Sequence, residues 1–178
     1  EADKAPFKRL KATGLKVITN PFRRKLTKGE LLKLLGKDVV GLIAGLETID
    51  REVLEKSHLK VISRCGAGLD NVDLKAAKDL NIRVYSTPDA PVTAVAELTV
   101  AAMLSLLRNI PRMDRDMHNS KWVKRPGVQL NGKTVAIIGF GRIGQRVAGI
   151  LKACGARLLA VDPAFSGIVS GVSIVKLE

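Results

Sequence analysis

Six consecutive residues, Gly139-Phe140-Gly141-Arg142-Ile143-Gly144, carry the spacing G-x-G-x-x-G. Alone the spacing is weak, because glycine-rich turns are common. Here an aliphatic run, Thr134–Ile138, leads into it, and Ile143, Val147, Ile150, Leu151 and Cys154 follow at helical spacing. A second aliphatic run, Arg157–Val161, closes on Asp162, 23 positions beyond Gly139. Strand, glycine loop, helix and a strand ending in an acid together make the context of a dinucleotide site. Gly139 permits the tight turn, Gly141 lets the backbone approach a pyrophosphate, and Gly144 lets helix and strand pack closely. The first helical turn, with Arg142 and Ile143, offers free N–H groups and a partial positive charge to that anion. The Arg142 side chain faces either a phosphate or solvent. Asp162 is placed to accept hydrogen bonds from both hydroxyls of an adenosine ribose. Its charge would repel a 2′-phosphate, which favours NAD over NADP.

A second loop, Ser63-Arg64-Cys65-Gly66-Ala67-Gly68-Leu69-Asp70-Asn71, follows another apolar strand. That puts it at the carboxyl edge of a sheet, where open α/β folds bind ligands. Its glycines and the helix start beyond them can present N–H groups to an anion, and Arg64 can add a bidentate contact. A tight turn with a salt-bridged arginine is the competing account. Cys65 has no histidine placed by sequence to activate it. His58 and His118 stand in polar stretches and read as surface residues, and no metal-ligand spacing is present.

The elements that would position these loops alternate. Leu15–Thr19, Val39–Ala44, Leu59–Ser63 and Ile82–Tyr85 read as short buried strands. Between them, a capping box at Thr27-Lys28-Gly29-Glu30 opens one helix, and Ile49–Leu54 and Val72–Leu80 are two more. This rhythm predicts an α/β protein with parallel, doubly wound sheets. Residues 93–109 form a long apolar helix bounded by Pro91 and Pro111, which must be buried on most sides. A polar, basic arm from Arg112 to Pro126 follows, holding Trp122.

Of the 178 residues 46% are hydrophobic but only 3% aromatic, so the core is aliphatic. The net charge of +13 raises nucleic-acid binding, but the excess is +6 over residues 1–90 and +7 over 91–178. No aromatic and basic residues interleave as stacking platforms would, which argues against it. Two cysteines make no disulfide scaffold. With no signal peptide and no apolar run near the ~20 residues of a membrane span, a soluble cytoplasmic protein is expected.

With these segments placed, the chain resembles the D-2-hydroxy-acid dehydrogenases, most closely their D-3-phosphoglycerate dehydrogenase branch. The matching runs are Leu59–Asp73, Ser86-Thr87-Pro88, Ala94–Leu98, Trp122 and Leu130–Gly144. The resemblance implies a flavodoxin-like substrate domain over residues 1–90, lacking its first strand, then the start of a Rossmann NAD-binding domain over 91–178. It implies that Arg64, Gly66, Ala67 and Gly68 hold the substrate carboxylate. It places the cofactor on Gly139, Gly141, Arg142, Ile143, Gly144 and Asp162, and a homodimer contact in 91–128. The family's catalytic Arg, Glu and His lie downstream of the matched runs, so this chain is expected to be an incomplete N-terminal portion, inactive alone. The expected activity of the parent is NAD-dependent oxidoreduction of a D-2-hydroxy acid, phosphoglycerate first, then glyoxylate or hydroxypyruvate. An NAD-sensing corepressor on the same fold is the alternative. Phosphoglycerate enzymes often carry an arginine after the strand that ends here at Ala44. This chain has Gly45-Leu46-Glu47 instead, which counts against a phosphorylated substrate.

Overall fold

The computed structural model describes residues 5–175. The chain divides into two compact units, 1–87 and 88–178. Each is a three-stranded parallel sheet with its own aliphatic core.

The first unit runs α1 (Ala5–Ala12), α2 (Lys28–Leu34), β1 (Gly41–Ala44), α3 (Arg51–Glu55), β2 (Val61–Arg64), α4 (Leu74–Asp79) and β3 (Arg83–Ser86). The strands lie in the order β1-β2-β3, with Ala44 beside Arg64 and Arg64 beside Ser86. Three of the short helices start on a side-chain cap. Thr27 and Glu30 close the capping box on α2, Asp50 accepts from the Val53 N–H, and Asp73 accepts from the Ala76 N–H. Such caps satisfy donors that have no partner inside the helix, each worth about 1 kcal/mol. These helices are five to seven residues long and could not persist alone. Packing holds them, through Leu31, Ile49, Val53, Leu54, Ile62, Ala76 and Ala77, all nearly inaccessible.

One expected strand is absent. Residues 15–19 adopt no regular structure, although their sequence is apolar and β-branched. A strand requires a neighbour for its N–H and C=O groups, and β1, the edge of the sheet, pairs only with β2.

The second unit runs α5 (Val92–Leu107), α6 (Ile110–His118), β4 (Thr134–Ile138), α7 (Arg142–Ala153), β5 (Arg157–Val161) and β6 (Val172–Ile174), with strand order β4-β5-β6. Gly155, at φ +77°, follows the C-cap Cys154 and ends α7. The core is built from Ala96, Val100, Phe140, Val147, Ala148, Leu151, Leu158 and Ala160. Phe140 is fully buried and meets Phe165 edge-on, with ring centroids 5.0 Å apart.

Two expectations fail in this unit. The long apolar helix buries only Ala96 and Val100, the stripe that packs beside α7, and leaves Leu98 and Leu106 at 70% and 74% exposure. The polar arm begins as a helix, because Pro111 falls in the first turn of α6, where its missing N–H costs nothing. Trp122 in that arm is 87% exposed. Among the described residues, no single helix is long and apolar enough to cross a membrane.

Candidate functional site

In the second unit the glycine loop joins β4 to α7. Gly139 has φ +90°, a left-handed conformation that glycine adopts freely, and its N–H donates to the Val161 carbonyl at 2.8 Å. A Cβ on Gly144 would stand 2.2 Å from the Gly139 carbonyl oxygen, so only glycine lets the helix start sit this close to the loop. A Cβ on Gly141 would meet nothing within 4 Å, which leaves the outer side of the loop open.

Gly141 is the N-cap of α7 and supplies no side-chain cap. Among the described residues, the N–H groups of Gly141, Arg142, Ile143 and Gly144 find no acceptor; the first satisfied one is Gln145, bonded to the Gly141 carbonyl at 3.0 Å. Four free donors converging at the positive end of a twelve-residue helix form an anion cradle. The cradle fits a pyrophosphate.

Asp162 ends β5, and both its oxygens already hold backbone. Oδ2 accepts from the Phe140 N–H at 2.7 Å and Oδ1 from the Ala164 N–H at 2.8 Å. Sequence spacing suggests an acid waiting for a ribose. In the folded chain the same carboxylate also ties the glycine loop to the end of β5. Each carboxylate oxygen has a second lone pair, so capacity to accept a hydroxyl remains. Arg142 is held at its Nε by Asp89 Oδ1 at 2.8 Å, on an exposed surface, and this pairing draws it away from a free phosphate-facing role.

The second loop lies in the first unit, where β2 ends. Arg64 turns back over its own loop and donates from Nη1 to the Cys65 carbonyl; a Cβ on Gly66, at φ +137°, would collide with that guanidinium. The Gly66 N–H donates to Thr87 Oγ1 at 2.9 Å, and the Gly66 carbonyl accepts from the Thr87 N–H at 3.0 Å. Thr87, 21 positions away, therefore fixes the loop, a role no local pattern announces. The Ala67 and Gly68 N–H groups make no hydrogen bond among the described residues. Asn71 closes the loop by donating from Nδ2 to the carbonyls of Gly45 and Glu47, at 3.2 and 2.7 Å. Cys65 is exposed, and His118 stands on the surface at the end of α6. Among the described residues, no three His, Cys, Asp or Glu side chains come together to hold a metal.

Parallel βαβ units with unbonded N–H groups at a strand–helix junction define the α/β class of this chain. Comparison with known proteins gives the particular family. Residues 2–169 match the model of the D-isomer specific 2-hydroxyacid dehydrogenase catalytic domain, and the chain belongs to that family. The D-3-phosphoglycerate dehydrogenase of Methanocaldococcus jannaschii is 43% identical over 142 residues, which are 78% of this chain and 27% of that protein. A protein of known crystal structure from Thermus thermophilus superposes with a TM-score of 0.87 at 33% identity, over 96% of this chain and 56% of that one. The NAD-dependent formate dehydrogenase of Staphylococcus aureus, solved with NAD, superposes with a TM-score of 0.80 at 32% identity, over 94% and 52%. The chain thus spans roughly a quarter to a little over half of the relatives it matches. The fold shared with these neighbours is the flavodoxin-like and Rossmann pair of parallel α/β units.

Proposed function

We propose that the protein carrying this chain is an NAD-dependent dehydrogenase of D-2-hydroxy acids, with phosphoglycerate, glyoxylate or hydroxypyruvate chemistry as its substrate range. The observation that carries this reading is the cradle of four unpaired N–H groups at Gly141–Gly144, braced by Asp162 through the Phe140 N–H. Gly139, Gly141, Ile143, Gly144 and Asp162 would hold the cofactor, with Arg142 at its margin. Family membership supports the acid substrate, and the complex of the Staphylococcus aureus relative with NAD supports the cofactor. When bound, NAD supplies the acceptor for the hydride that leaves C2 of the hydroxy acid.

The residues of this chain would do the binding work. The Ala67 and Gly68 N–H groups would take the substrate carboxylate, on a loop held by Thr87, and Arg64 would add its charge on turning outward. A carboxylate at position 162 would disfavour the 2′-phosphate of NADP. The hydroxyl proton needs a base, and neither histidine of this chain stands in either loop. The apolar outer face of α5, with Leu98 and Leu106, would be covered by a second copy in a homodimer, and a cytoplasmic location goes with this setting.

The test is NADH oxidation by the full protein with hydroxypyruvate, glyoxylate and 3-phosphonooxypyruvate. Turnover with NADH far above that with NADPH is expected. NADH binding without turnover of any 2-keto acid would refute the enzymatic reading and favour a cofactor-sensing role.

A further inference from the structure

A carboxylate just ahead of α5 is not spent on that helix. Asp89 lies two residues before Pro91, the N-cap of α5, and its carbonyl accepts the Val92 N–H at 3.2 Å. Pro91 supplies no side-chain cap, and an acid at such a helix start would ordinarily serve the free N–H groups there. The Asp89 carboxylate instead reaches Arg142 Nε at 2.8 Å, and it has no other partner among the described residues. Pro88 and Pro91 restrict the backbone on either side of it, so the acid is presented from a stiff bend.

The cation it holds is rooted in the glycine loop. Arg142 is the first residue of α7, and its own N–H is one of the four unbonded donors of the cradle. Arg146, one turn further along α7, is exposed and has no ion pair among the described residues. Of these two arginines, the acid takes the one tethered at the anion site. The pair is open to water, with Arg142 at 64% and Asp89 at 78% exposure. A pair this exposed shifts an equilibrium by about fivefold at most. A pyrophosphate seated on converging N–H groups offers the same guanidinium a denser negative charge in a less hydrated setting. Exchange of Arg142 from the acid to the anion is therefore favourable, and the pull of the acid is subtracted from the grip on the anion.

We propose that Asp89 is a release latch on the cofactor cradle. Its carboxylate competes with a bound pyrophosphate for the Arg142 guanidinium, lowers dinucleotide affinity, and takes the arginine back when the dinucleotide leaves. The proposal rests on the reading of Gly141–Gly144 as a pyrophosphate site. Asp89 touches neither the loop backbone nor the ligand in this scheme; it is a positioning residue that acts through Arg142.

The test uses the full protein as wild type, Asp89→Asn, Asp89→Glu, Arg142→Gln and the Asp89→Asn/Arg142→Gln double variant. Each is titrated calorimetrically with inorganic pyrophosphate and by fluorescence with NADH. Asp89→Asn should tighten both ligands about two- to fivefold, while Asp89→Glu, which keeps the charge, should stay near wild type. The gain should vanish in the Arg142→Gln background, because the acid then has no guanidinium to compete for. Unchanged affinity in Asp89→Asn overturns the latch. An equal gain with and without Arg142 also overturns it, since the acid would then act only as a nearby negative charge. A lower unfolding midpoint with unmoved affinities would reduce the pair to a structural contact and overturn the proposal as well. If pyrophosphate follows the expected pattern while NADH does not bind, the dinucleotide reading fails and the latch stands; if neither binds, both fall.

Discussion

Gly141 and Gly144 lie three residues apart in one motif, yet their replacement by alanine should produce opposite outcomes. At Gly144 the new Cβ would lie 2.2 Å from the Gly139 carbonyl oxygen and 3.3 Å from Ile137 Cγ2. Contacts under 3.0 Å are essentially never seen, and the obstructing atom is backbone that cannot rotate aside. Loop and helix must separate by roughly 0.8 Å or more, which breaks packing around Phe140 and Val147. Overpacking of this kind costs about 1–3 kcal/mol, and more when backbone must move. Alanine's better helix propensity returns about 1 kcal/mol at most. A net loss of about 2–3 kcal/mol is expected, a fall of about 10–20 °C in the midpoint of a unit this size. At Gly141 nothing lies within 4 Å and φ is −72°, so alanine fits. Its poorer capping is offset by the lower entropy of the unfolded chain, leaving stability within about 1 kcal/mol of wild type. The methyl group would instead stand where a pyrophosphate must approach, and NADH affinity should fall about tenfold or more. Urea unfolding and NADH fluorescence titration of both variants read the two quantities separately. Equal destabilisation by the two substitutions, or full NADH affinity in Gly141→Ala, would refute the assignment of these glycines.

Asp162→Ala leaves the N–H groups of Phe140 and Ala164 without their acceptor, so stability should drop by about 1–3 kcal/mol, together with NADH affinity and the preference over NADPH; unchanged unfolding midpoints would show the carboxylate to be dispensable to the loop. Leu98→Glu on the open face of α5 should convert the full protein to monomers with the second-unit core intact, and an unaltered sedimentation coefficient would place the dimer contact elsewhere. Acid should weaken the first unit in a defined window. The Arg24 guanidinium and the Thr27 N–H hold Glu30 down to about 2, and Lys28 holds Asp50 and Glu52 below their ordinary values. Groups whose folded pKa is depressed stabilise the fold above their unfolded values and lose that contribution as pH falls through the folded ones. Urea midpoints should therefore be flat down to about pH 5 and fall between about pH 4.5 and 2, with a shallower fall in Glu30→Gln; identical profiles would contradict the pairing.

What was legible in the sequence is what is decided locally. Thr134–Ile138, the glycine loop and Arg157–Val161 have the expected bounds, because glycine punctuation and aliphatic runs act within a few residues. The capping box at Thr27 and Glu30 is likewise a matter of four positions. Residues 15–19 misled because apolar, β-branched composition is only a capacity for pairing. Pro111 misled because proline stops one helix and starts another with equal ease. β6 went unnoticed because three residues, Val172–Ile174, become a strand only through β5. At the loops, residue types did not disclose the bonds that the fold makes with them. Thr87 takes the Gly66 N–H from 21 positions away, Asp89 takes Arg142 from across 53, and Asp162 is already bonded to the backbone it was expected only to overlook.

The double hold of Asp162 sets the terms on which cofactor preference can be re-engineered. Exchange of this acid for a neutral or basic side chain is the obvious route to an enzyme that accepts a phosphorylated ribose. Here that exchange would also release the Phe140 N–H, and with it the glycine loop. On the proposed reading, selectivity at one end of the dinucleotide and grip at its middle share a single carboxylate. A productive switch therefore needs a second substitution that returns an acceptor to the Phe140 amide, and libraries that vary position 162 alone will recover mostly enzymes that bind both dinucleotides poorly.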